Sequence, residues 1–162
     1  MNIYQRNGDL VKMCTGADFC GTRWTVNAVR MPVPHWGDDS YLLPVATVMR
    51  LFKKYKGEQG LSMNAVPSDL DIAASRSGKE VYLHVVNLSY NSAVEADLTV
   101  SGQSVGDGQV HEIAPERPRE YVNRERPDVF APEETSLDAS GTPTWRFPPR
   151  SVSVVTLDLE AS

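Results

Sequence analysis

The chain is short of the features that mark several large functional classes. It has two cysteines in 162 residues. Cys14 and Cys20 are six apart, with no C-x-x-C and no Cys/His grouping at zinc spacing, so both read as small buried apolar residues in a reducing compartment. No apolar run approaches the roughly 20 residues that a membrane span needs. The opening MNIYQRNGDL lacks the basic-then-apolar order of a signal peptide, so the expected location is the cytoplasm. Lysine and arginine are not clustered, and the net charge is −5, which argues against nucleic acid or an anionic membrane as partner. There is no G-x-S-x-G elbow, no phosphate-binding loop and no acidic loop at calcium spacing. No metal or cofactor is expected, and GQSVGDG reads as a turn around a strand end. Internal repeats and low-complexity segments are also missing.

What is present is an ordinary globular composition, 41% hydrophobic and 23% charged, with enough length for one domain or one domain plus part of another. The charge is unevenly placed. Residues 1–60 hold eight Lys or Arg against five Asp or Glu, whereas residues 61–162 hold eight against sixteen. That change of sign suggests a boundary near Gly60.

The clearest element is Ser40 to Gly57. Val45, Val48, Met49 and Phe52 recur at i, i+3, i+4 and i+7, with Leu51 and Tyr55 widening the stripe, which predicts a helix over 40–56. Pro44 suits its first turn, Lys53, Lys54 and Lys56 suit its negative end, and Gly57 supplies a left-handed stop. Upstream, Leu10, Met13, Cys14 and Ala17 predict a helix over 3–19, weakened by Gly8 and Gly16. TRWTVNAVRM predicts a strand over 22–31 closed by Pro32 and Pro34.

Beyond Gly60 the apolar period becomes two. Leu70, Ile72 and Ala74 share one side of a strand, and Ser77-Gly78 turns into KEVYLHVVNLS, whose two apolar faces predict a central strand. Ser92 to Ser101 alternates with Val94, Ala96, Leu98 and Val100 inward. GDGQVHEIAP is a shorter strand. Residues 116–144 form a Pro-rich, charged excursion with one short strand around Tyr121. In the closing TWRFPPRSVSVVTLDLE, Val152 and Val154 are out of phase with Val155, Leu157 and Leu159, which predicts a bulge near Val154. Short strands at hairpin spacing predict an antiparallel sandwich or jelly roll.

Several stretches together carry a family resemblance: YQRN followed by DLVKMC, the helix end LFKKYKG, the hairpin LDIAASRSGKEVYLHVVN and the closing WRFPPRSVSVVTLDL. In order and spacing the chain resembles the C-terminal part of the α-L-arabinofuranosidases of glycoside hydrolase family 51. That resemblance implies a mainly β fold, an antiparallel sandwich or jelly roll over 61–160, preceded by a helix-strand-helix fragment like the end of a TIM barrel. Residues 1–59 would be the barrel fragment and 60–162 the sandwich domain. A retaining glycosidase needs two carboxyl groups about 5 Å apart. In the family both lie on earlier barrel strands, so the resemblance implies no catalytic residue in this chain, which alone should be inactive. It also implies that the sandwich takes a strand from residues ahead of the barrel, which predicts an open edge or gap here. The expected partner is the missing barrel portion or a second copy of the chain; in the complete enzyme, arabinose-containing glycans are the substrate.

On that placement His35 and Trp36 lie on the loop after the eighth barrel strand, at the face where barrel active sites are built, and are candidates to face substrate. Asp38 and Asp39 read as helix-end acids. His84 reads as a satisfied core histidine. His111 and Glu112 are strand neighbours that point to opposite faces and cannot act on one atom. Glu133 and Glu134 read as solvated charge. A second class, a carbohydrate-binding sandwich, would use Trp145, Tyr121 or Tyr90 as exposed platforms. A brace would instead show an apolar patch facing the helix at 40–56.

Overall fold

The computed structural model of the chain describes residues 1–15, 19–23, 26–33, 40–138 and 141–160. In chain order its elements are α1 (Asn2–Arg6), β1 (Cys20–Gly21), β2 (Val29–Arg30), β3 (Tyr41–Leu42), α2 (Pro44–Lys54), β4 (Gln59–Leu61) and β5 (Leu70–Ser77). There follow β6 (Glu80–Asn87), β7 (Val94–Asp97), β8 (Val105–Ile113), β9 (Glu133–Ser136), β10 (Thr144–Phe147) and β11 (Val152–Leu159). The fold is mainly β with antiparallel sheets, as the alternation after Gly60 requires.

The larger sheet has six strands in the order β4-β5-β6-β11-β8-β9. Its first hairpin pairs Leu70 with Asn87 and Ser77 with Glu80, leaving a two-residue turn in which Gly78 takes φ +58, a conformation open to glycine without a Cβ penalty. A second sheet, β10-β7, pairs Trp145 with Ala96 and Phe147 with Val94. Between the two sheets, Ile72, Leu83, Val85, Val110 and Leu157 pack with Leu98 and the fully buried Phe147. Each such side chain contributes roughly 1.5–3 kcal/mol of burial. This is the inward pattern read from the sequence, including Val94, Ala96, Leu98 and Val100 on one face.

β6 and β11 are apolar on both faces for a structural reason: the sheet is covered twice. Val155, Leu157 and Leu159 face the sandwich interior, whereas Val154 and Val152 face α2 with Leu51, Phe52 and Ile113. The bulge expected near Val154 is therefore not formed. β11 runs in unbroken register with β6 through that point, and its register shift on β8 falls between Asp158 and Leu159. Both phases of β11 are buried, so no residue has to be inserted to reconcile them.

The sheet ends on short strands, β4 with three residues and β9 with the four exposed residues Glu133–Ser136. The small sheet has only two strands against six. A groove of about 980 Å³ lies along β4 and the first half of β5, with Leu61, Leu70, Ile72 and Ala74 among its walls.

The N-terminal part departs further from expectation. Of the helix predicted over 3–19, whose residues 16–18, Ala17 among them, lie outside the described ones, the described residues form only the turn of α1, which ends at Arg6 and gives way at Asn7. Leu10 and Met13, which were to form its apolar stripe, are 77% and 83% exposed. Short helices draw their stability from tertiary packing, and the stripe has no surface to pack on. Of the strand predicted over 22–31, the described part forms only Val29–Arg30, held between β1 in parallel and β3 antiparallel. Cys14 and Cys20 are exposed rather than buried, for want of the same packing. In the excursion the strand forms at Glu133–Ser136, not around Tyr121.

Within the helix predicted over 40–56, α2 runs Pro44–Lys54, with Pro44 in its first turn and Lys53 and Lys54 in its last. Its buried face is Thr47, Leu51 and Phe52, and Met49 is exposed. The end is Tyr55 at φ −115, so Gly57 is not a left-handed stop. Gly57 is needed instead for close approach: a Cβ there would lie 2.3 Å from the Arg76 carbonyl carbon. No helix among the described residues is long and apolar enough to cross a membrane.

Candidate functional site

Two buried histidines, His84 and His111, lie on the face of the large sheet that carries the two helices. One cross-strand row runs Ala73, His84, Val154, His111, Glu134 through β5, β6, β11, β8 and β9. Alternation puts these residues on the same face, and α2 lies over the row. Its last-turn aromatics are three apart, so they share a helix side. Phe52 stacks on His84 with ring centroids 4.1 Å apart, and Tyr55 stacks on His111 at the same distance.

His84 is 1% exposed and both its ring nitrogens are engaged. Nε2 meets the Tyr55 carbonyl oxygen at 2.5 Å, one of the orphan acceptors at the end of α2. A carbonyl only accepts, so Nε2 carries the proton. Nδ1 meets the side-chain amide of Gln5 in α1 at 2.7 Å. Burial lowers the His84 pKa, against the opposing pull of the Tyr55 carbonyl. In the neutral ring Nδ1 is an acceptor, as is the Gln5 Oε1 that faces it, so the bond forms with the Gln5 amide turned to present its NH₂. Asn2, also in α1, donates from Nδ2 to the carbonyls of Asp71 and His84 at 2.8 and 3.0 Å, and Arg6 binds Asp71 and the Ile72 carbonyl.

His111 is 4% exposed. Its Nδ1 lies 3.4 Å from a Glu134 carboxylate oxygen, and Nε2 has no hydrogen-bond partner. Its pKa is lowered by burial first, with Glu134 opposing and Lys54 adding to the shift. A cavity of about 250 Å³ beside it is walled by Arg50, Lys54, Tyr55 and Glu134 among others. Glu112, its neighbour, points the other way, accepting from Trp145 Nε1 at 3.2 Å and Ser153 Oγ at 2.9 Å. Burial raises the Glu112 pKa, with those two bonds opposing and Glu133 adding.

His84 and the His111–Glu112 pair thus stand where their strand positions place them. His35 and Trp36 lie outside the described residues, as do Asp38 and Asp39. Glu133 and Glu134 are exposed, as solvated charge is, and Glu134 also faces His111. Trp145 packs against the core, whereas Tyr90 and Tyr121 are exposed; the Arg150 guanidinium sits over the Tyr90 ring at 5.2 Å. Among the described residues no group of three His, Cys, Asp or Glu could hold a metal ion. The sequence reading missed the stacking of two helix aromatics on two histidines. Its signal was the pairing of Phe52 and Tyr55, three apart in the last turn, with histidines on two inner strands. The arrangement is fit to hold helices on a sheet: Leu51 and Phe52 of α2 pack on Ile113 and Val154 of β8 and β11.

No protein-family model matches the chain. Alpha-L-arabinofuranosidase A of Aspergillus kawachii is 29% identical over 94% of the chain, and the probable alpha-L-arabinofuranosidase A of Aspergillus awamori is equally similar. The chain spans about a quarter of the length of these relatives, 24%. Among solved structures, the α-L-arabinofuranosidase of Thermotoga maritima superposes with TM-score 0.78 and 22% identity over 98% of this chain and 36% of that one. The sequence resemblance and the shared fold therefore agree: the chain is similar, over nearly its whole length, to a portion of the α-L-arabinofuranosidases of glycoside hydrolase family 51, consistent with a C-terminal portion.

Proposed function

We propose that this chain is the C-terminal, non-catalytic part of an α-L-arabinofuranosidase-like glycoside hydrolase, in which the sandwich over 60–162 braces the catalytic barrel and residues 1–59 are the end of that barrel. The observation that carries the reading is the distribution of uncovered apolar surface. Among the described residues, exposed large hydrophobic side chains concentrate in the first third: Ile3, Leu10, Met13, Phe19 and Val33 are all more than 60% exposed. A free-standing domain rarely leaves such a surface open, and the rest of a barrel would cover it. The sheet face beneath α1 and α2 is by contrast occupied, by the Phe52–His84 and Tyr55–His111 stacks and by hydrogen bonds from Asn2, Gln5 and Arg6.

The rest of the same polypeptide is the partner that this surface fits, with arabinose-containing glycans as substrate of the complete enzyme. The groove along β4 and β5 suits an extended segment from ahead of residue 1, which would complete a jelly roll. His35 and Trp36 keep their proposed place on the substrate-facing loop, supported by their position between β2 and α2, where an eighth barrel strand would meet its helix.

The test is hydrolysis of a chromogenic α-L-arabinofuranoside. The 162-residue chain alone is expected to show no turnover, and co-expression with the preceding three quarters of a related enzyme is expected to restore it. Turnover by the chain alone would overturn the reading, as would failure of the two parts to associate.

A further inference from the structure

We propose that α1 and α2 dock on the sheet as one cooperative unit because both are fastened to the same side chain, His84. The imidazole is engaged at both ends by different helices. Nδ1 meets Gln5 of α1 at 2.7 Å, Nε2 meets the carbonyl of Tyr55 that ends α2 at 2.5 Å, and Phe52 of α2 lies flat on the ring at 4.1 Å. The backbone of the same residue takes part too, since its carbonyl accepts from Asn2 of α1.

Neither helix can hold itself. α1 has five residues and α2 has eleven, both below the roughly 12–15 at which isolated helices become even marginal in water. Each depends on the sheet, and one polar attachment from each meets at one buried ring, Gln5 from α1 and the Tyr55 carbonyl from α2. If α1 lifts, Nδ1 loses its partner, and the ring is freed to rotate away from the Tyr55 carbonyl. An unsatisfied buried acceptor at the end of α2 then weakens the helix that Gln5 never touches through that bond. Local opening of this kind has its own free energy, separate from that of the sandwich core. The coupling is a property of the 162-residue chain and stands or falls independently of the glycosidase reading.

The experiment is native-state amide hydrogen exchange on the full chain. In Gln5→Ala, which removes only the α1 end of the link, protection is expected to fall about tenfold at Tyr55 and in the last turn of α2 as well as at Asn7. Amides of β6 and β11 should keep theirs. His84→Phe, which preserves the stack on Phe52 but removes both ring bonds, should lower protection in both helices together. Unchanged α2 protection in Gln5→Ala overturns the proposal, as does an equal loss throughout the sheet. Should His84→Phe fail to fold, the outcome in Gln5→Ala alone decides.

Discussion

Gly57 lies so close to Arg76 that a Cβ on the glycine would come within 2.3–2.5 Å of the Arg76 backbone nitrogen, carbonyl carbon and oxygen. The contact is between main chains of the α2–β4 connection and β5, and Gly57 N–H donates to Ser75 Oγ at 2.9 Å alongside it. Backbone cannot swing aside as a side chain can. Gly57→Ala is therefore expected to destabilise the chain by about 2 kcal/mol, in the range for overpacking. Urea denaturation checks this, and a midpoint equal to that of the wild type would show that the connection has room to shift.

A second prediction concerns Asn87, which is 2% exposed. Its Nδ2 donates to the carbonyls of Ser92, Phe147 and Pro148 at 2.9–3.1 Å, and its Oδ1 accepts from Ser89 N–H. One side chain thus ties the end of β6 to the turn between β10 and β11. Asn87→Ala would strip buried carbonyls of their donor. The expected loss is about 2–3 kcal/mol, measured as a drop in the urea midpoint with the m-value unchanged.

Ser153→Ala should cost less. The hydroxyl is fully buried and donates to Glu112, which retains Trp145 Nε1 as its second donor. We expect a loss of about 1 kcal/mol, together with a further rise in the Glu112 pKa, because a donor favouring the charged carboxylate is gone. Carbon-13 titration of the Glu112 carboxyl reads that shift directly, and a fall in its pKa would contradict the assignment.

Stability should decline as the solution is acidified below neutrality. His84 and His111 both have folded-state pKa values below 6.5. Between that unfolded value and the lower folded value the unfolded chain binds more protons, so stability falls as pH falls, by at most about 1.4 kcal/mol per pH unit for each ring. Glu112 works with the opposite sign. Its pKa is raised above 4.5, so the folded state holds the extra proton there and stability rises on acidification through that range. Two histidines against one carboxyl predict a lower urea midpoint at pH 5.5 than at pH 7.5, and the reverse order would show that one of the imidazoles is charged in the folded chain.

How much of this was legible in the residues follows from which forces were local. Val94, Ala96, Leu98 and Val100, or Leu70, Ile72 and Ala74, could be placed on one face because alternation is a property of the strand itself. The covering of β6 on both faces was equally visible in Val81–Val86. The phase change at Val154 was visible but misread, because a strand buried on both sides and a bulged strand look alike until the second layer is known. The stripe begun by Leu10, Met13 and Cys14 failed for a related reason: periodicity specifies a face, but only another surface makes the face worth forming. Gly57 was read as a stop because glycine after lysines so often is one, whereas its neighbour in space, Arg76, is nineteen positions away and invisible from its surroundings in the chain. The attachment of α1 and α2 to His84 had a faint trace, aromatics three apart above histidines on inner strands, but no local rule pairs them.

The two short margins of the large sheet bear on how the isolated chain would associate. β4 covers only Ala74–Arg76 of β5 and leaves the edge at Leu70–Ala73 open beside the groove, whereas β9 presents Glu133 and Glu134 along an exposed four-residue strand. A second copy adding a strand would therefore meet open backbone at the first margin and like charge at the second.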